Sequence, residues 1–106
     1  MGTAGATRIE TRSRADATEI LCRINHPMET GHRTSHGNSK KVPAHFIQKI
    51  AFELNGEQVA EVHVGTGIAA DPLLMIRVKG VRSGDAVTVR WTDNWGERGG
   101  ASTTVS

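Results

Sequence analysis

The 106-residue chain has one cysteine, three prolines, no tyrosine and four large aromatic rings, two Trp and two Phe. A single thiol excludes an internal disulfide framework and a multi-thiolate zinc site. With aromatics at 4%, the core has to rest on Val, Ile, Leu and Ala. No apolar run approaches the roughly 18 residues of a membrane-spanning helix. Met1 to Thr7 is small and polar, without a charged segment leading into an apolar one, so no signal peptide is visible. Taken alone, that leads to the expectation of a cytoplasmic chain. Also missing are the G-x-S-x-G elbow of hydrolases and the G-x-x-x-x-G-K-[ST] phosphate loop. Gly65 and Gly67 form a G-x-G fragment with no helix to follow, so they mark no dinucleotide site.

Charge of one sign is not in excess either: the net charge is +2. It is unevenly spread, with eight Lys/Arg against four Asp/Glu in residues 1–49 and five against seven in residues 50–106. A basic half can draw anions or acidic partners, but no cationic run is dense enough for a nucleic-acid footprint.

What the chain does have is alternation. Ile20, Cys22 and Ile24 recur at period two within Thr18 to Asn25, opposite Leu21, Arg23 and Asn25. Phe46, Ile50, Phe52 and Leu54 are expected to share one face, interrupted by Gln48. Asn55-Gly56 between two alternating runs is the strongest short-range hairpin signal in the chain. The return strand, Glu57 to Val64, puts Ala60, Val62 and Val64 inward. Leu74, Ile76 and Val78 face one way against Leu73, Met75, Arg77 and Lys79. Val87, Val89 and Trp91 then alternate in Ala86 to Thr92, Asp93 to Gly96 turns, and Glu97 to Val105 returns as a Thr-rich strand. Arg8 to Arg14 is an edge strand blunted by charge, after a frayed tail; residues 1–14 are together the least ordered part. The expectation is one all-β domain over residues 1–106, an immunoglobulin-like sandwich of six or seven short antiparallel strands.

The exception to alternation is residues 25–47, N-H-P-M-E-T-G-H-R-T-S-H-G-N-S-K-K-V-P-A-H-F-I. Two prolines, two glycines and four histidines break any repeat, and a connection this long in a small domain is commonly functional. Cys22, between Ile20 and Ile24, reads as a small core residue and not as a nucleophile. His26, His32, His36, His45 and His63 with Cys22 have the ingredients of a mononuclear metal site. Superoxide reductases, all-β iron proteins with four His and one Cys, are the natural comparison. Alternation separates these ligands, so a His/Cys redox centre is the alternative reading. Trp95 is either an exposed anchor for a partner or folded back on the sandwich.

Several motifs then become familiar: H-P-M-E-T-G (His26 to Gly31), P-A-H-F-I (Pro43 to Ile47), Asn55-Gly56, Gly84-Asp85 and W-T-D-N-W-G (Trp91 to Gly96). Together they resemble the SoxZ family, one subunit of the SoxYZ carrier of bacterial thiosulfate oxidation, from about Thr18 to the C-terminus. The His32 to Lys41 stretch has its own sequence. The resemblance implies an immunoglobulin-like fold, no catalytic residue, no cofactor and no metal. It implies a heterodimer with SoxY, whose cysteine arm carries the sulfur, and transient contact with other Sox enzymes through SoxY. It also implies a periplasmic location reached by export with SoxY, and no nucleic-acid or membrane partner. His26, Pro27, Met28, Glu29, Thr30, Pro43, His45 and Phe46 are the expected contacts with the partner or its arm.

Overall fold

The computed structural model describes residues 6–34 and 40–106. Within them the chain is all β, with seven strands: β1 (Thr7–Ser13), β2 (Thr18–Ile24), β3 (Ile47–Leu54), β4 (Glu57–His63), β5 (Leu73–Val78), β6 (Ala86–Asp93) and β7 (Arg98–Thr104). They form a three-stranded sheet in the order β1-β2-β5 and a four-stranded sheet in the order β4-β3-β6-β7. All pairings are antiparallel. This is the expected sandwich, and β1 is indeed an edge. The first part of the expected tail, residues 1–5, lies outside the described residues, as does His36.

The apolar period-two residues meet between the sheets. Ile20, Cys22 and Ile24 of β2 face Ile47, Ile50 and Phe52 of β3 and Val87, Val89 and Trp91 of β6, all buried. Burying side chains of this size contributes about 1.5–3 kcal/mol each before entropy is set against it. The hairpin signal holds: Asn55 and Gly56 both have positive φ, 51° and 84°, as a tight type I′ connection requires.

One face assignment is corrected. Phe46 was expected in line with Ile50 and Phe52, but Ile47 is the fully buried residue and Phe46 only half-buried. The β3–β6 register shifts between Ile47 and Lys49, so an extra residue lets Ile47 and Ile50 both point inward while Gln48 and Lys49 face solvent. Strict alternation cannot anticipate that insertion.

β1 lies against β7, and there the sandwich closes around Trp91, whose Nε1–H donates to Thr7 Oγ1 at 2.9 Å. Gly99 leaves room for the indole: a Cβ at that position would overlap its six-membered ring. Gly99→Ala should therefore lower stability by about 1–3 kcal/mol in a urea melt, and an unchanged midpoint would show that the β6–β7 edge gives way freely.

Candidate functional site: a buried histidine–carboxylate cluster

The two halves of the irregular segment meet at one end of the sandwich. Glu29 and His45 pair as an isolated antiparallel bridge, with Glu29 N–H donating to His45 O at 2.6 Å and His45 N–H to Glu29 O at 2.9 Å. That pairing brings H-P-M-E-T-G alongside P-A-H-F-I. Gly31 packs there against Ala44, where an added Cβ would sit 3.2 Å from the Ala44 Cβ.

Local backbone is bent to make this possible. Met28 and Asp71 both have positive φ, 50° and 53°, a conformation costing a non-glycine residue about 1–2 kcal/mol. Each is held by what it bonds. Asp71 Oδ1 accepts the His26 N–H at 3.0 Å, and Asp71 N–H donates to His26 O at 2.9 Å. Met28 N–H donates to His26 Nδ1 at 3.1 Å, while Met28 Sδ accepts from Ile47 N–H at 3.4 Å.

These bonds aim His26 and His45 at one acid. Asp93 is the last residue of β6 and falls inward in the same alternation as Val87, Val89 and Trp91. Its Oδ2 lies 2.9 Å from His26 Nε2 and 2.7 Å from His45 Nε2. Its Oδ1 accepts the backbone N–H of Trp95 at 2.9 Å and of Glu97 at 2.8 Å. His45 Nε2 is also 2.7 Å from Glu97 Oε1. The Trp95 indole stacks on the His45 ring at 3.7 Å and 3°, and its Nε1–H donates to Ala44 O at 2.7 Å. Asn94 completes the clasp, accepting the Phe46 N–H at 2.8 Å and donating to Ala44 O at 2.9 Å. Beneath, the His26 ring meets Trp91 edge-on at 5.5 Å.

Hydrogen-bond logic sets the protonation pattern. His26 Nδ1 accepts from Met28, so its proton sits on Nε2 and points at Asp93. Burial raises the Asp93 carboxyl pKa, but the bonds from His26, the Glu97 N–H, His45 and the Glu97 side chain outweigh it and bring it down to about 2. With two donors on each oxygen, this carboxylate is saturated and has no lone pair left for a substrate proton.

Two histidines and two carboxylates suggest a cation, and the donor atoms of His26, His45, Asp93 and Glu97 all lie within 4.8 Å of one another. The residues do not fit a metal. His26 Nε2 carries the proton that a ligand nitrogen must lack. For His45 to ligate through Nε2, its Nδ1 would bear a hydrogen, yet Nδ1 is buried without a partner among the described residues. A ligating histidine normally donates that hydrogen to a second group. The His/Cys alternative meets a further obstacle, since Cys22 is absent from the cluster, and His32 and His63 are exposed. Cys22 is fully buried, and burial pushes its thiol pKa up to about 11.

The expected contact residues therefore divide. His26, Met28 and His45 are buried, because their side chains hold the two segments together. Pro27, Glu29 and Phe46 are half-buried, and Thr30 and Pro43 exposed. Glu29 takes two bonds from Arg33, at 3.0 and 2.7 Å. Trp95 combines both readings made of it: folded back on His45, yet 52% exposed. Asp93 and Glu97 went unanticipated, although extending the β6 alternation one step past Trp91 places Asp93 inside.

Comparison with known proteins agrees with this architecture. The oxidized-state crystal structure of a superoxide reductase superposes with a TM-score of 0.70 at 14% identity, covering 99% of this chain and 90% of that one. At that identity the match establishes a shared β-sandwich fold. No curated protein sequence matches the chain. The model of the family described as sulphur oxidation protein SoxZ matches residues 7–104, and the chain belongs to that family. It is thereby placed among the proteins of sulfur oxidation.

Asp93→Asn should cost about 2–4 kcal/mol in a urea melt, since an amide places its NH2 group against two N–H donors. The pH dependence has a definite sign. Asp93 is depressed to about 2 from an ordinary 3.8, so its contribution is full above about pH 4 and fades as pH falls toward 2. That loss amounts to about 2 kcal/mol. Asp93→Asn should flatten this acid limb; an unaltered limb would place the acid sensitivity elsewhere.

Proposed function

We propose that this chain is a non-catalytic scaffold that pairs with SoxY and helps present its sulfur-carrying cysteine arm to the other enzymes of thiosulfate oxidation. The observation that carries the reading is the state of its thiol. In a SoxZ-family chain, the one cysteine is sealed between the sheets and held protonated near neutral pH. A nucleophile needs exposure and a lowered pKa, so covalent sulfur chemistry belongs to a partner. The cluster supports the same reading, because its saturated carboxylate serves to hold two segments in register.

On this reading the cluster end is a rigid platform for the partner or its arm. Trp95 and Phe46 supply aromatic surface, with Pro27, Glu29, Thr30 and Pro43 around them. A half-exposed indole on a braced turn, beside a half-buried phenyl ring, is the kind of surface that anchors an interface. SoxY-dependent assembly would also account for a periplasmic site of action by joint export.

Co-expression with SoxY should give a complex by size exclusion that thiosulfate-oxidising enzymes can load. The sulfur adduct should map to SoxY by intact mass, and Cys22→Ala should leave loading unchanged. An adduct on Cys22 would overturn the assignment. Phe46→Ala and Trp95→Ala, judged folded by their melts, should weaken the complex or slow loading at least about tenfold; wild-type behaviour in both would remove this end from the interface.

A further inference from the structure

The outward face of the β1-β2-β5 sheet is a grid of three rows, set by the register. One row is Arg12, Glu19 and Arg77, the next Glu10, Leu21 and Met75, and the last Arg8, Arg23 and Leu73. The first row is satisfied internally: Glu19 accepts from Arg14 and Arg77, both at 3.2 Å. Arg12 is likewise occupied, bonded to Glu10 at 3.3 Å.

The last row is not. Arg8 and Arg23 are direct cross-strand partners, and like charges in that position destabilise a sheet. Among the described residues, neither arginine has an ion-pair or side-chain hydrogen-bond partner. Asp71 lines the same rim but gives its Oδ1 to the His26 N–H and pairs with neither. Beside the arginines sit Leu73 and Met75, 54% and 49% exposed, with half-buried Leu21 between the strands. An uncompensated guanidinium pair next to a protruding apolar group opposes the stability of the isolated chain, and it is the composition of an interface centre, where Arg and Met are enriched.

We infer that this face is a docking surface for an acidic patch on a protein partner. A carboxylate-bearing segment lies across Arg8 and Arg23, and an apolar side chain covers Leu21, Leu73 and Met75. The inference rests on the proposed function, which makes SoxY that partner, and it names the surface used. Charge complementarity commits the occupant: two forked cations already opposed to each other favour an anionic neighbour, which bonds both and removes their repulsion. Location agrees, since Arg23 is the penultimate residue of β2 and the chain reaches His26 three residues later, so a partner body seated here lies next to the braced end.

The test measures SoxY affinity by calorimetry at two salt concentrations. Arg8→Glu/Arg23→Glu should weaken binding at least about 30-fold and abolish much of its salt dependence. Lys49→Glu/Arg98→Glu, the same change in net charge on the outer face of the four-stranded sheet, should weaken it less than about threefold. Leu73→Asp should weaken it by a similar factor to the arginine pair. Arg23→Thr should bind less well while melting no lower than the wild type, a combination that a merely structural role would not give. Equal losses from both charge reversals, or none from the first, overturn the surface assignment and leave the pairing with SoxY standing. Absence of wild-type binding overturns the pairing itself, and this surface then has no SoxY to receive.

Discussion

One carboxylate sets the shape of one end of this molecule. Asp93 takes donors from His26, His45, Trp95 and Glu97, which belong to three separate stretches of the chain. Such a group is tolerated inside a protein only when every lone pair is used, and then it specifies geometry strongly, because each alternative arrangement strands a buried donor. Among the described residues between β2 and β3, the pairings are two isolated bridges, Glu29 with His45 and Thr34 with Lys41. The ends of the segment are held by this acid, by Asn94, by Asp71 and by the indole of Trp95.

The same arrangement separates support from contact. The two clustered histidines and the thiol are turned inward, both imidazoles bonded to Asp93 through Nε2 and the thiol buried between the sheets. The surface keeps a half-exposed Trp95, exposed Leu73 and Met75, and polar and charged side chains that include His32 and His63. A chain of the SoxZ family thus shares its backbone fold with a superoxide reductase, and a shared fold does not by itself carry a site with it.

How much of this was legible in the sequence follows from how far each signal reaches. The strands were, because period-two burial is local: Ile20, Cys22 and Ile24, or Val87, Val89 and Trp91, announce their face without outside help. The Asn55-Gly56 turn was too, since two successive positive φ angles favour so few residues. The β3 bulge was not, because an inserted residue leaves no mark except a shift in phase at Gln48. The cluster was half legible. Its histidines stood out as unusual loop residues, but their common acceptor lies 67 and 48 residues away, and nothing local connects them. Nor does composition distinguish a surface histidine from one that braces a loop; only the position of Asp93 decides.

The long sequence separation within the cluster has a consequence for how the chain is made. His26 and His45 are synthesised well before the acid that receives their protons, and the Trp91 edge needs β7 as well. A nascent chain ending before Asp93 therefore carries two imidazoles and a bent Met28 with nothing to hold them. Closure of this end depends on pairings far apart in sequence, the kind that form slowly because loop closure precedes their reward. That end of the sandwich is thus built only after Asp93 and β7 have both been made, so a chain stopped short of them lacks its clasp.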